Sequence, residues 1–460
     1  MFFLHYARLP DVLKGVGYRL GRLVNGVAER IVEVAINDIA CLIGHDPGNI
    51  EGASYLVISS AVKSGNPEFE AAKERGIPII RRAEMLAELM RPCTTVAVTG
   101  THGKTTTTSI IADLLQGGGC DPTVITGGII NAWGTNARIG QGEWMVVEAD
   151  ESDGTFLKLP TEIGVITNID PEHMDFWESE EVLYEAFEQF IEAIPFYGVV
   201  VACIDHPVVR GLMATLGGAE NGRRTLTYGV SRSADIRLFN VRPDHATMTF
   251  DVRLGSGVAG GARELSDLTL PTLGHYNALN AIAALAVATE AGVSDEVIRT
   301  TLAGFSGVKR RFTRVGAWQG IAIYDDYAHH PVEIAAVLRG ASAAGNGRII
   351  AVMQPHRYTR LQSLFNEFSA CLDDADIVIL TPVYSAGEPP IPGIDRDELA
   401  AGLRRHGHPN VFMVDDEESL TAAVASVAKD GDLVVGLGAG TITDWINALP
   451  AQLKQHGGKA

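Results

Sequence analysis

The sequence lacks the features that mark a secreted or a membrane-spanning protein. Its five cysteines are scattered, odd in number and never spaced as C-x-x-C, so a disulfide framework is not expected. The N-terminus has no signal-peptide layout, and no apolar run approaches the ~20 residues that span a bilayer. We therefore expect a protein of the reducing cytoplasm that has no membrane partner.

Positive charge is also scarce. Lys and Arg number 37 against 56 Asp and Glu, which gives a net charge of −19 over 460 residues. So acidic a chain is not expected to bind nucleic acid or an anionic membrane. An anionic substrate would therefore need a local cluster of Arg and Lys. Apolar residues make up 46 % of the chain, enough for several cores, and the length suggests two to four domains at roughly 100–200 residues each.

Short apolar runs recur along the chain between helical stretches. The runs are residues 94–99, 144–148, 163–168, 198–204, 348–353, 376–380 and 432–437. Because they are continuous and not alternating, they predict strands buried on both faces, in parallel α/β sheets with helices on each side. Residues 236–270 form a β-rich section with a Gly-rich loop at 255–262. We expect three α/β domains, at residues 1–92, 93–308 and 309–460.

Residues 94–116 have the order strand, Gly-rich loop, helix, which is typical of a phosphate-binding loop. The loop and the helix start comprise Gly100, Thr101, His102, Gly103, Lys104, Thr105 and Thr106. Backbone N–H groups and the helix dipole attract an anion there, and glycine lets the backbone approach it closely. The pattern predicts that Lys104 holds the outer phosphates of a nucleotide and that the Thr105 hydroxyl binds Mg²⁺.

Two further strands end in acidic or histidine-containing segments. Glu148 ends the run at 144–148, and His173 follows the run at 163–168. In an open parallel sheet the ligand crevice lies outside these strand ends, and carboxylates gathered there need a cation. Glu148 and His173 are therefore candidate magnesium ligands, with a solvated acidic loop as the alternative.

The second half of the chain holds the remaining polar clusters. Asn277 and Asn280 lie one helical turn apart, and their amides suit a purine edge, although helix capping is the alternative. The last third contains the segments KRRF at 309–312, DDYAHHP at 325–331 and QPHRYTR at 354–360. Arg forks in such segments bind carboxylates and phosphates. A zinc site at the His pair is the alternative, but no Cys or H-E-x-x-H pattern supports it.

In order and spacing, these motifs resemble the Mur ligase family, the ATP-dependent amide-bond ligases of peptidoglycan precursor synthesis. The resemblance runs from about Gly44 to Trp445 and is carried by GTHGKTTT, EADESDGTF, NIDPEHMD, LGHYNALNA, GVKRRF, DDYAHHP, QPHRYTR and TPVYSAGE. It implies a Rossmann-like UDP-binding domain, a P-loop ATPase domain and a mobile last domain that closes over ATP. DDYAHHP followed by QPHRYTR is most similar to the branch that joins L-alanine to UDP-N-acetylmuramate.

The resemblance also implies roles for particular residues of this sequence. ATP would be held by the phosphate loop, by Asn277 and Asn280 at the adenine, and by Arg311 and Asp326, the latter at the ribose. Mg²⁺ would be held by Thr105, Glu148 and His173. Lys104, His356, Arg357 and Arg360 would be catalytic, the last three gripping the muramoyl carboxylate and the alanine. His275, Tyr327 and His330 would be further substrate contacts, and Ser59 and Ser60 would touch the UDP-sugar.

The N-terminal segment departs from the family pattern. The family opens with an apolar strand and a Gly-rich loop around the uridine diphosphate, whereas residues 1–40 contain no such loop, and Gly15-Val16-Gly17 is a poor substitute with no strand expected ahead of it. A genuinely divergent segment and a disrupted reading frame are both compatible with this. The alternatives for function are a ligase of the same family with another amino acid or folate, and an ATP-binding protein without ligase activity. A plain P-loop kinase would leave the Arg and His clusters unexplained. A monomer or weak homodimer in the bacterial cytoplasm is expected.

Overall fold

The computed structural model describes residues 4–6, 42, 44–59, 62–217, 222–244, 247–344 and 347–457, and their strands form three sheets. The first sheet has the order β1 (Leu4–Tyr6), β2 (Tyr55–Ile58) and β3 (Ile79–Arg81), with β2 and β3 parallel. Helices α1 (Pro67–Glu74) and α2 (Arg82–Met90) and a 3-10 turn at Pro47–Ile50 accompany it. Most of the divergent N-terminal segment, and Ser60, lie outside the described residues.

The second sheet has ten strands and contains the phosphate loop. Its strands are β4 (Thr94–Thr99), β5 (Thr123–Ile130), β6 (Thr135–Arg138), β7 (Trp144–Glu148), β8 (Ile163–Ile166), β9 (Val199–Cys203), β10 (Arg224–Gly229), β11 (Ile236–Asp244), β12 (Thr247–Leu254) and β13 (Arg263–Leu270). Their order is β13-β12-β11-β10-β9-β8-β4-β7-β5-β6. The central strands β9, β8, β4 and β7 are parallel, and β11 to β13 form an antiparallel extension. The predicted parallel core and the β-rich section are both present.

Helices cover both faces of this sheet. We call the sheet together with these helices the middle domain. They are α3 (Lys104–Gly117), α4 (Met174–Trp177), α5 (Glu180–Ala193), α6 (Pro207–Leu216), α7 (His275–Glu290) and α8 (Asp295–Ala303), with a 3-10 turn at Thr155–Lys158. The Ala-rich helix α7 is buried beside α3, because its small side chains let the two helices approach each other closely. On the opposite face, α5 packs its phenylalanines under the sheet.

The third sheet has six strands and forms the core of the last domain. Its strands are β14 (Thr313–Trp318), β15 (Ile321–Asp326), β16 (Ile349–Met353), β17 (Ile377–Leu380), β18 (Val411–Met413) and β19 (Leu433–Leu437), in the order β14-β15-β19-β16-β17-β18. All neighbours pair in parallel except β14 with β15. The helices are α9 (Pro331–Ala344), α10 (Tyr358–Ser363), α11 (Phe365–Ala370), α12 (Arg396–His406), α13 (Glu417–Val427) and α14 (Ile442–Gly457). The α/β fold class is therefore confirmed.

The strand order brings the functional segments to one edge of the middle sheet. β4 lies between β7 and β8, so the loop that follows it is flanked by the residues that follow those two strands. Such a crevice at the carboxyl ends of parallel strands is where α/β sheets bind ligands. Within the part of the chain that the structure describes, no helix combines the length and apolar character needed to cross a bilayer.

An aromatic cluster beneath the middle sheet makes a test of this packing. Phe187 is fully buried, and its ring centre lies 5.2 Å from that of Phe156. Phe187→Ala should lower the free energy of unfolding by about 3–5 kcal/mol, because it leaves a cavity in a close-packed core. Equilibrium denaturation in urea measures the loss. Phe196→Ala, at a side chain 84 % exposed, is the control and should change stability little; equal losses would contradict this packing.

Candidate active site

The phosphate loop can adopt its shape only with glycine at two positions. Gly100 and Gly103 have φ angles of 124° and 85°, in the region that L side chains rarely adopt. A Cβ atom on Gly100 would lie 2.2 Å from the Thr167 hydroxyl oxygen, and one on Gly103 would lie 2.6 Å from Asn280 Oδ1. The loop is therefore pressed between β8 on one side and α7 on the other.

Two residues that follow β8 hold the phosphate loop in place through hydrogen bonds. The Asn168 side chain accepts the His102 N–H through Oδ1 at 2.8 Å and donates back to the His102 carbonyl at 3.0 Å. The Thr167 hydroxyl donates to the same carbonyl at 2.6 Å. The N–H groups of Lys104, Thr105 and Thr106, in the first turn of α3, have no acceptor within the helix. They can therefore bind an anion.

Lys104 lies at the centre of this loop and folds back over it. Its Nζ donates to the carbonyls of Gly100 at 2.7 Å and Thr101 at 3.1 Å, and lies 2.7 Å from Glu151 Oε2. Burial alone would lower the pKa of Lys104, but Glu151 and Asp150 outweigh it and raise that pKa. The ammonium group therefore stays charged and can interact with phosphate.

Thr105 and Glu148 meet beside the loop, as the sequence predicts. The Thr105 hydroxyl donates to Glu148 Oε1 at 2.9 Å, while Glu148 Oε2 accepts from the Thr126 hydroxyl at 2.7 Å. A hydroxyl and a carboxylate are hard oxygen ligands of the kind Mg²⁺ prefers, and Mg²⁺ commonly takes its other ligands from phosphates and water. The residues present thus fit this ion.

His173, the third predicted metal ligand, lies toward a different carboxylate. Its Nε2 is 4.0 Å from Glu151 Oε1, and the residue adopts a left-handed φ of 58° before α4. Among the described residues, no group of three His, Cys, Asp or Glu side chains is placed to hold a metal ion. The role of His173 therefore stays a prediction.

Asn277 and Asn280 are buried at the start of α7, next to the loop. Gly274 is the N-cap, so the helix-capping alternative for these residues is wrong. The Asn277 amide donates to the Leu273 carbonyl at 2.6 Å, and the Asn280 amide donates to Asn277 Oδ1 at 3.3 Å. These bonds fix the orientation of the two amides, and the Asn280 amide lies against Gly103.

The last domain brings its own polar residues to the loop. Both Asp326 oxygens accept backbone N–H groups, from Phe312 and Ala328 at 2.7 Å each, so this carboxylate shapes the KRRF turn. Burial raises the pKa of Asp326 to about 6 although Arg311 opposes the shift. The Arg311 guanidinium lies 5.4 Å from the centre of the Tyr327 ring, a cation–π contact.

The structure brings His356, Arg357 and Arg360 near one another, and their role as a carboxylate grip stays a prediction. Arg360 Nη1, His356 Nδ1 and His330 Nε2 are buried without a hydrogen-bond partner among the described residues. Burial, aided by His329 and nearby arginines, lowers the pKa of His356 to about 4, so its ring is neutral. Arg357 pairs with Glu388. Buried polar atoms of this kind are expected where a polar ligand binds.

Two other predicted substrate contacts have neighbours outside the last domain. His275, at the first position of α7, interacts electrostatically with Asp205 after β9. Ser59 follows β2 in the first sheet, where its carbonyl accepts the Val62 N–H at 3.1 Å. Their roles stay predictions, and Ser60 lies outside the described residues.

Sequence reasoning missed the acidic partners that connect the middle and last domains. Glu333 lies 3.3 Å from the His102 ring, and Glu172 lies 3.3 Å from Arg360 Nη2. The signal for Glu333 was its i,i+4 spacing from His329 at the start of a helix. Glu172 stood inside a motif that was already singled out, but its partner is 188 residues away.

Comparison with protein families agrees with this geometry. The Mur ligase middle domain matches residues 98–288, the Mur ligase glutamate ligase domain matches residues 310–440, and the Mur ligase family catalytic domain matches residues 29–93. The chain belongs to the Mur ligase family. The third match begins inside the divergent N-terminal segment, so part of that segment is itself similar to the family.

Within the family, the chain is similar to individual ligases of known name. A UDP-N-acetylmuramate–L-alanine ligase of Rhodopseudomonas palustris strain HaA2 is 54 % identical over 98 % of this chain and 95 % of its own. One of Bradyrhizobium diazoefficiens is 57 % identical over 90 % and 88 %. The crystal structure of the UDP-N-acetylmuramate–alanine ligase of Thermotoga maritima has a TM-score of 0.73 at 25 % identity, covering 90 % of this chain and 88 % of that one.

The crowding at Gly103 generates a test of the site. Gly103→Ala would displace Asn280 and strain the loop, so we expect the affinity for a non-hydrolysable ATP analogue to fall by about tenfold or more, or 1.4 kcal/mol per decade. Titration calorimetry measures this affinity. Gly119→Ala is the matched control, because Gly119 also has a positive φ, of 79°, but open space around its Cβ position. Equal losses in both variants would refute the contact.

Proposed function

We propose that this Mur ligase joins L-alanine to the carboxylate of UDP-N-acetylmuramate at the expense of ATP, in peptidoglycan precursor synthesis. Relatives at 53–54 % identity over 97–98 % of the chain have names that state this reaction. One structural observation carries the proposal. The Arg360–Glu172 ion pair brings a carboxylate-binding arginine of the last domain to the edge of the crevice that holds the phosphate loop.

The chemistry explains why phosphate and carboxylate sites must adjoin. A carboxylate is a poor electrophile, so one of its oxygens first attacks the γ-phosphorus of ATP and ADP leaves. The resulting acyl phosphate is attacked at its carbonyl carbon by the alanine amine, which loses a proton as the amide forms, and inorganic phosphate leaves. No nucleophile of the enzyme is needed, so the protein acts by positioning and charge stabilisation.

The nucleotide side of the site supplies the positive charge. Lys104 exchanges its loop carbonyls for phosphate oxygens, and the loop residues 100–106 cradle those oxygens. Thr105 and Glu148, with His173 proposed as a further ligand, would hold Mg²⁺, which neutralises phosphate charge when bound. We assign Asn277 and Asn280 to the adenine and Arg311 and Asp326 to the interdomain nucleotide contacts. Removal of Mg²⁺ should therefore abolish turnover.

The acid and amine side consists of the carboxylate grip. The unpaired Nη1 of Arg360 can donate to a carboxylate, and Arg357 adds a second guanidinium beside it. The neutral His356 ring offers one donor and one acceptor nitrogen. Tyr327, His330, His275, Ser59 and Ser60 complete the proposed substrate contacts. Closure of the last domain would exclude water and so protect the acyl phosphate from hydrolysis.

Organisation and location are part of the same proposal. We place the domains at residues 1–92, 93–308 and 309–460, and the protein in the bacterial cytoplasm as a monomer or weak homodimer. All four described cysteines, Cys93, Cys120, Cys203 and Cys371, are free thiols, which suits a reducing compartment.

Lys104→Ala tests the phosphate side. It should reduce phosphate release in the presence of UDP-N-acetylmuramate and L-alanine by at least about 100-fold, since a preorganised charge is lost where charge develops. Lys158→Ala, which removes an exposed pair with Glu84, is the control and should retain activity. Near-normal release by Lys104→Ala would contradict the assigned role. No release by the unsubstituted protein with both substrates present would contradict the proposed function.

Arg360→Lys tests the acid and amine side. Lys keeps the charge but loses the planar fork, so the KM for UDP-N-acetylmuramate or L-alanine should rise by about tenfold or more while the KM for ATP changes little. Steady-state kinetics with each substrate varied in turn measures the split. Arg405→Lys, at an exposed arginine of α12, serves as control. A rise confined to the KM for ATP would show that Arg360 belongs to the nucleotide site.

A further inference from the structure

Glu333 is a buried carboxylate that no step of the proposed reaction uses. It lies in the first turn of α9, with its side chain 15 % exposed. Its Oε1 is 3.3 Å from His102 Nδ1 and 3.9 Å from an Arg311 nitrogen, while its Oε2 accepts the His329 N–H at 3.3 Å. One carboxylate thus joins the phosphate loop of the middle domain to two residues of the last domain.

The opposite nitrogen of the same imidazole is held from the middle domain. His102 Nε2 lies 3.2 Å from Asp170 Oδ2, an ion-pair contact without hydrogen-bond geometry, and Asp170 Oδ1 lies 3.2 Å from His206 Nε2. His206, Asp170, His102 and Glu333 therefore form a continuous line from the end of β9, across the phosphate loop, to the last domain. A carboxylate on each side of one ring suits a charged imidazolium.

The charges around His102 support this state. Burial alone would lower the pKa of His102, but Asp170 and Glu333, with a smaller contribution from Glu172, raise it to about 10. The His330 ring faces it from the last domain at 5.5 Å, and burial lowers the pKa of that ring, so His330 is neutral beside the imidazolium. The imidazolium is therefore present at neutral pH.

We infer that Glu333 is a positioning residue: it locks the last domain against the phosphate loop through His102 and so couples closure of the domain to the shape of the loop. His102 stands between Gly100 and Gly103, so a shift of its ring is transmitted to the backbone that cradles phosphate. When the domain opens, His102 loses one of its two carboxylates and keeps only Asp170, so the pair with Glu333 is made in the closed state alone. The closed state is favoured for this reason.

The sign of the pH dependence follows from the raised pKa. The His102–Glu333 contact is complete below the ordinary imidazole pKa of about 6.5 and is lost as the pH rises through about 10. Without the Glu333 charge the pKa of His102 falls, so the contact between His102 and the last domain is lost at a lower pH. A merely structural role for Glu333 would leave unchanged the pH at which activity falls on the basic side of the pH profile.

Glu333→Gln tests the inference, with Glu398→Gln as the matched control. Glu398 lies in the same domain, on the exposed face of α12, in an ion pair with Arg405. Small-angle scattering with a non-hydrolysable ATP analogue reads closure without turnover, and the pH profile of kcat/KM reads the imidazolium. We expect Glu333→Gln to stay more open with the analogue, to lose kcat by up to about 100-fold, and to show its basic limb at lower pH.

Glu333→Asp keeps the charge on a shorter side chain and should restore part of the closure and of the basic limb. It also serves in place of Glu333→Gln if that variant does not fold. Closure and a basic limb equal to those of the control would overturn the inference. It rests on the proposed function only for the kinetic readout. If the unsubstituted protein makes no product, the proposed function fails, while scattering still decides the role of Glu333.

Discussion

The site depends on keeping one ammonium group charged while it is buried in an acidic protein. Lys104 has a side chain 13 % exposed, and Glu151, its partner, is 2 % exposed. Taking such charges out of water is unfavourable unless they are paired and hydrogen-bonded. Two loop carbonyls and a carboxylate meet that need. Because the Lys104 ammonium group is fully hydrogen-bonded without a ligand, the loop has a defined shape. A phosphate group can then bind by replacing the loop carbonyls as the partner of the ammonium group.

The same constraint organises the elements around the loop. β7 contributes Glu148 beside Thr105, and the segment after β8 contributes the Asn168 amide that holds His102. α7 contributes Asn280 against Gly103. These contacts come from three parts of the chain that meet because β4 lies between β7 and β8. The net charge of −19 over the whole chain would repel a phosphate group. The positive groups that bind phosphate must therefore be concentrated around this loop.

Contacts between the middle and last domains combine charged pairs with apolar packing, since Tyr276 packs against the core of the last domain and Phe312 packs against the core of the middle domain. His102 with Glu333 and Arg360 with Glu172 both join side chains that are at most 15 % exposed. Charged pairs give a contact that is specific in geometry and that can reopen, since each partner can also be solvated or take a ligand. In the proposed reaction the last domain would admit two substrates and then exclude water, and a reversible contact would allow both. The atoms of Arg360 and His356 that are buried without a hydrogen-bond partner among the described residues belong to the same domain as Glu333.

Much of this could be predicted from the chain alone, because it depends on local pattern. Continuous apolar runs indicated the buried parallel strands, and a strand, a Gly-rich loop and a helix in succession indicated the loop on which Gly103 and Lys104 lie. Phosphate binding by that loop stays a prediction. The pairing of Thr105 with Glu148 followed from the rule that parallel strands end at one edge. On composition alone, helix capping was the better interpretation of Asn277, and only the position of Gly274 as N-cap excluded it.

The tertiary structure alone decided which charges meet across the domains. Glu172 and Arg360 are 188 residues apart, and His102 and Glu333 are 231 apart, so no periodicity or motif connects them. Their encounter depends on how two separate sheets are placed relative to each other, which is a property of packing and not of local sequence. Residue types and strand order determined what chemistry each segment could perform, and the docking of the last domain determined which segments perform it together.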